Sequence, residues 1–205
     1  RHPTLEGSKE GDTRTHSRQH TDRVIFMFES IKNIFRKRRL AKFISTVPTG
    51  LMPVEKISTV NVVIDVEEPG FDELKEEIMA WGRQTGLKVN IYFFDFRKLD
   101  KEELLLTSIQ TTIIKKDLDW IGVPELSKVI DLLGETSDLF ISMINNGDFP
   151  IDFLSKCTKA RFKIGRYEYE GHAYDLVISG NQTADLRSDS KRIFAAIKEF
   201  LTKIQ

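Results

Sequence analysis

Runs of β-branched and aromatic residues alternate with segments whose apolar residues recur every three or four positions. No other feature of this 205-residue chain constrains the fold as strongly. The strand-like runs are Thr59–Asp65 (TVNVVID), Leu87–Phe96 (LKVNIYFFDF), Gln110–Ile114 (QTTII), Asp138–Ile144 (DLFISMI), Arg161–Gly165 (RFKIG) and Tyr174–Ser179 (YDLVIS). Between them lie helical patterns. Phe71, Leu74, Ile78 and Trp81 share one face and stop before Gly86. Pro124 opens a segment with Leu126, Val129, Ile130 and Leu133, closed by Gly134. Pro150–Thr158 carries Ile151, Leu154 and Cys157. A last helix, capped by Asp189 or Ser190, aligns Ile193, Ile197, Phe200 and Ile204. Residues 101–106 form at most a helical turn. The order predicts an α/β fold: a three-layer α/β/α sandwich around a mostly parallel sheet, Rossmann-like or flavodoxin-like.

The chain carries 31 Lys/Arg and 31 Asp/Glu, but the zero sum hides a segregation. Residues 27–43 hold six basic residues and one Glu, a net of +5, whereas residues 44–205 hold 20 basic and 26 acidic residues, a net of −6. In MFESIKNIFRKRRLAKF, the side chains of Met27, Phe28, Ile31, Ile34 and Phe35 fall within about a 120° arc of a helix, until Arg38 and Lys42 land on the same face. The segment predicts a basic amphipathic helix over 27–43. Its basic side chains, Lys32, Arg36, Lys37, Arg38, Arg39 and Lys42, are candidates for contact with an anionic surface, a membrane or a ribonucleoprotein. The alternative is a first helix that packs on its own domain with solvated charges. Residues 44–56, with Pro48, Gly50 and Pro53, read as a linker to an α/β domain at 57–205.

Residues 1–26 are nearly free of large apolar side chains until Val24, and the first methionine is Met27. Such a leader is expected to be disordered. It is expected either to lie outside the natural protein or to form a true disordered tail. No apolar run exceeds five residues, as in Val24–Phe28, against the roughly 20 needed to span a bilayer. One cysteine, Cys157, allows neither an internal disulfide nor a Cys-rich metal site, and fits a cytoplasmic protein, peripheral at most at the inner membrane face.

Candidates for chemistry are few. There is no GxGxxG after the first strand, no GxxxxGK[ST], no GxSxG and no HExxH. The first loop instead carries Glu67 and Glu68, whose charge repels phosphate. No cofactor and no metal site is expected. In an open α/β sheet a ligand would sit beyond the carboxyl ends of the strands, so Asp65, Asp95, Asp117, Asp119, Trp120 and Asn145 are the candidate ligand-binding residues. The alternative is that the aspartates only shape turns and Trp120 plugs the sheet edge. Lys159, Arg161 and Lys163 alternate with apolar residues and would share one strand face, either meeting an anion or neutralising the acidic body. Cys157 and His172 read as a packed thiol and a surface imidazole.

The loop Lys115-Lys116-Asp117-Leu118-Asp119-Trp120-Ile121-Gly122 and the run Cys157–Gly165 resemble the signature stretches of a family of small Bacteroidota proteins that contain a domain of unknown function. That family has a Lys-Asp-(apolar)-Asn/Asp-Trp-(aromatic)-Gly loop and a Ser-Lys-Ala-Lys-Phe-Lys-Val-Gly run. Here Thr158 stands for the usual Ser, Arg161 for a Lys and Ile121 for an aromatic residue. The resemblance covers about Met27 to Ile204. It implies a short basic N-terminal helix before an α/β body and a start at Met27, and it carries over no activity or catalytic residue. The expectation from the residues is a non-enzymatic binding or adaptor domain. The alternative is a small-ligand or nucleotide-like binding enzyme or sensor with its site at the strand ends.

Overall fold

The computed structural model describes residues 12–98, 106–180 and 186–204, with backbone alone for 12–24 and 186–188. The chain divides into two units, residues 1–42 and 43–205. In the first unit, α1 begins at Asp12 and runs as Asp12–Phe43. It therefore starts well upstream of Met27. Between Gly11 and Pro48 there is neither Gly nor Pro, so nothing local stops a helix, once nucleated, from extending toward its N-terminus.

The second unit is built on a six-stranded sheet with the order β3-β2-β1-β4-β5-β6, every neighbouring pair parallel. The strands are β1 (Thr59–Asp65), β2 (Lys88–Asp95), β3 (Thr112–Ile114), β4 (Ser137–Ser142), β5 (Ala160–Gly165) and β6 (Leu176–Val177). The helices are α2 (Phe71–Thr85), α3 (Leu126–Gly134), α4 (Phe149–Cys157) and α5 (Leu186–Lys203). The α/β sandwich expected from the alternation is therefore present. The sheet is wholly parallel because each strand is followed by a crossover rather than a hairpin.

The layers follow from strand periodicity. Val60, Val62 and Ile64 of β1, Leu139 and Ile141 of β4, and Phe162 and Ile164 of β5 point into one core with Leu74 and Ile78 of α2 and Phe194 and Ile197 of α5. Trp81 meets Phe194 edge-on, ring centroids 5.6 Å apart. The buried apolar residues outside that cluster occupy alternate strand positions, such as Val63, Phe94 and Phe140, and α3 and α4, through Val129, Leu132, Phe153 and Leu154. Right-handed crossovers require this division. The chain moves outward one way through β2 and β3, then the other way through β5 and β6.

The β1–β4 junction is pinned at its start. One oxygen of Asp138 accepts the Ser58 N–H (2.9 Å), the Thr59 N–H (3.0 Å) and the Thr59 hydroxyl (3.1 Å). The carboxyl ends of β1 and β4 form the switch point where strand order reverses. Residues 44–56 have little regular structure beyond a short 3-10 turn at Val54–Lys56, yet they run along the body. The Ser45 N–H donates to the Lys156 carbonyl (3.0 Å) and the Gly50 N–H to that of Arg161 (2.9 Å). The turn expected at 101–106 lies outside the described residues except for Leu106.

Candidate functional site

The six strand-end candidates lie beyond the same end of the sheet: Asp65 closes β1, Asp95 closes β2, Asp117, Asp119 and Trp120 follow β3, and Asn145 follows β4. Most are engaged by their own loops. Asp95 is buried and grips Arg97 in a two-pronged contact, Nε at 2.8 Å and Nη2 at 2.7 Å. The arginine holds its carboxyl below the usual range, against the opposing effect of burial. One oxygen of Asp117 accepts the Ile114 N–H at 3.0 Å and lies 3.8 Å from Lys128. Asp119 accepts the Ile121 and Val123 N–H groups at 3.0 and 2.9 Å. Gly122 (φ 91°) supplies the left-handed turn that lets this loop close. The result is a rigid loop that presents the Trp120 indole 53% exposed. Asn145 is exposed.

Asp65 differs. Its carboxylate accepts the Glu67 N–H (2.8 Å), but burial pushes its pKa up, and the nearby charges of Glu67, Glu68 and Asp148 push the same way. It closes β1 at the switch point. Among the described residues, no group of three or more His, Cys, Asp or Glu is placed to hold a metal ion.

Sequence reasoning missed the residue that organises this end of the sheet. Arg166, just past β5, is buried and bonds to four groups: the Glu68 carboxylate (3.0 Å), the Asp189 carboxylate (2.7 Å), the Ser190 hydroxyl (2.9 Å) and the Met143 carbonyl (3.1 Å). The Ser190 hydroxyl also donates to Glu68. Asp189 and Ser190 were expected to cap α5, but that helix starts at Leu186 and their side chains turn to Arg166 instead. The only available signal was a lone arginine after a strand, because its partners lie 98 and 23 residues away.

Alternation puts Lys159, Arg161 and Lys163 on one face, but they do not form one open basic surface. Lys159 and Arg161 are exposed; Arg161 sits 3.6 Å from Asp138, and Lys159 donates to the Gly134 carbonyl at 3.4 Å. Lys163 is buried under α4, its amine donating to the Ser155 carbonyl at 2.8 Å. Burial lowers its pKa to about 8. Cys157 is a buried thiol, pushed up to about 12 by burial, as its apolar surroundings imply. His172 is exposed beside Glu168 (3.0 Å).

Within α1, Lys32 and Arg36 approach Glu29 at 3.6 and 4.0 Å. Lys32 and Arg38 sit 5.9 and 5.8 Å from the rings of Phe28 and Phe35. Met27, Phe28, Ile31, Ile34 and Phe35 are all exposed. No helix among the described residues is long and apolar enough to cross a membrane.

In comparison with known proteins, the model of a family of unknown function, DUF6913, aligns with residues 32–202. The chain belongs to the DUF6913 family. No curated protein and no solved structure matches it. The DUF6913 match takes in the last part of α1, the loop that presents Trp120, the run ending at Gly165, and Arg166 with its partners Glu68, Asp189 and Ser190.

Proposed function

We propose that this protein is a non-catalytic binding module held by α1 at an anionic lipid surface, on the cytoplasmic side of a membrane. One observation carries the reading. The run Arg36–Arg39 directly follows a stripe of exposed Met27, Phe28, Ile31, Ile34 and Phe35 on a continuous helix. Exposed apolar side chains beside a basic block suit the boundary between headgroups and acyl chains, where rings insert and basic stems reach the phosphates. A ribonucleoprotein would use the charge but not the aliphatic stripe. Arg38 and Lys42 interrupt the stripe, so insertion is shallow and binding reversible.

Co-sedimentation of the full chain tests this. Pelleting is expected with vesicles containing phosphatidylglycerol and not with pure phosphatidylcholine, and it is lost when Arg36, Lys37, Arg38 and Arg39 are all replaced by Gln. Pelleting with ribosomes but not with anionic vesicles would assign the helix to RNA instead.

A second reading, a small-ligand site at the strand ends, draws support from the strand order, which is that of doubly wound dinucleotide-binding sheets, and from Asp65 at the switch point. Glu67 disfavours phosphates there, whereas the charge of Glu68 is already matched by Arg166. A thermal-shift screen with nucleotides, sugar phosphates and divalent metals is expected to show a rise that Asp65→Asn abolishes. Flat melting throughout would end this reading.

A further inference from the structure

Lys163 is an anomaly by ordinary rules. It is only 5% exposed, and among the described residues no carboxylate lies within ion-pair distance of its amine. A buried ammonium without a counter-ion costs several kcal/mol, and lysines are almost never buried unless paired. The amine's one hydrogen bond goes to the Ser155 carbonyl at 2.8 Å. A neutral amine also makes that bond, though more weakly than an ammonium, and it keeps a lone pair for chemistry.

The surroundings favour a reactive role over a packing accident. Lys163 lines a cavity of about 240 Å³, with Thr49, Lys156, His172, Tyr174 and Asp175. The nearby cation is already matched: Lys156 pairs with Asp152 at 2.7 Å and donates to the Glu170 carbonyl at 2.6 Å. Asp175 is fixed by the Thr49 hydroxyl (2.6 Å) and the Lys163 backbone N–H (2.8 Å), which holds a carboxylate at the cavity wall. The Tyr174 hydroxyl is 2.6 Å from that of Ser155. A desolvated amine, a fixed carboxylate and a phenol around one small cavity are the groups needed to form and hydrolyse an imine.

We propose that Lys163 is a reactive amine and that the cavity beside it captures a small carbonyl compound as a reversible imine. The amine lone pair attacks the carbonyl carbon, a C–N bond forms, and the carbonyl π pair moves to oxygen. Asp175 carries one proton from nitrogen to that oxygen, giving the carbinolamine, and then carries the second nitrogen proton to the hydroxyl, which leaves as water as the neutral C=N bond forms. Nothing is oxidised or reduced. The cavity volume suits a small ligand, such as a short aldehyde or keto acid. Burial, which holds the amine at about 8, leaves roughly a tenth of it neutral at pH 7.

The test is trapping on the full chain with glyoxylate and cyanoborohydride, followed by intact mass and peptide mapping. The expected result is one dominant adduct at Lys163, formed about ten-fold faster than at exposed lysines such as Lys159. Its rate should level off above pH of about 8, whereas that of surface lysines keeps climbing. Cys157, Tyr174, Asp175, Lys156 and His172 are the titratable groups around the amine. Lys163→Arg is expected to lose the adduct. Labelling of Lys163 at or below the rate of Lys159, or with an ordinary lysine's pH profile, overturns the proposal. Because that reading comes from the wild-type chain, it stands even if the variant fails to fold.

Discussion

Arg166 gathers the loop after β1, the end of β4 and the start of α5 onto one guanidinium, so removing it leaves the Asp189 and Glu68 carboxylates, both largely out of water, without their counter-charge, Glu68 keeping only the Ser190 hydroxyl. Arg166→Met is expected to destabilise the body by about 3–5 kcal/mol in denaturant unfolding, because an uncompensated buried charge costs more than the pair contributed. Lys163 makes a second residue-level prediction, in pH. Its pKa falls from 10.5 to about 8 on folding. Between those values the unfolded chain holds a proton that the folded chain has released, so stability rises with pH across that window and is flat below it. Tyr169, Tyr174 and Cys157, all pushed up by burial, act in the opposite sense. The quantity to measure is therefore the wild-type stability minus that of Lys163→Met. That difference should rise by up to about 3 kcal/mol across the window.

At this scale the sequence was only partly legible. The aspartates were correctly placed at strand ends, because a strand's last residue can be read from local pattern. What each carboxylate touches cannot be read that way. Asp119 closes a five-residue loop, whereas Glu68, which looked like a mere repeller of phosphate, meets an arginine 98 positions on.

Elements whose limits are set by their own residues were legible, and those set by distant contacts were not. β1 occupies Thr59–Asp65 as its β-branched run predicts. α2 is bracketed by Gly70 and Gly86, with φ of 80° and 71°, values that glycine adopts without strain. β6 shrinks to Leu176–Val177. Tyr174, read as its first residue, instead lays its ring against Gly165, where an added Cβ would meet ring carbons at 2.3–2.5 Å. β3 pairs only with the last three residues of β2, so Lys88–Tyr92 has no strand partner on its outer side among the described residues. α5 is held chiefly by packing. Phe194 is fully buried against Trp81, and Phe194→Ala is expected to cost about 3–5 kcal/mol, seen both in unfolding and as faster amide exchange along α5 than along β1.

For the whole molecule, the zero net charge is a cancellation between a basic helix and an acidic body. If α1 carries the contact, binding is electrostatic at long range and apolar at short range. It should weaken as salt shortens the screening length from about 10 Å at 0.1 M to about 3 Å at 1 M. Each basic residue near an anionic leaflet contributes about 1 kcal/mol, so removing four should weaken binding by up to about a thousandfold. The body should be unaffected, because residues 43–205 form their own unit. The segregation of charge is legible in the sequence, since charge and hydropathy are properties of the residues themselves. The most direct measurement is a vesicle titration of the full chain against the variant with Gln at positions 36–39, with the melting curve of each recorded alongside. The account predicts binding to anionic vesicles that falls by at least about ten-fold in the variant while the melting curves coincide. Equal binding by both chains, or equal binding to neutral and anionic vesicles, would contradict it.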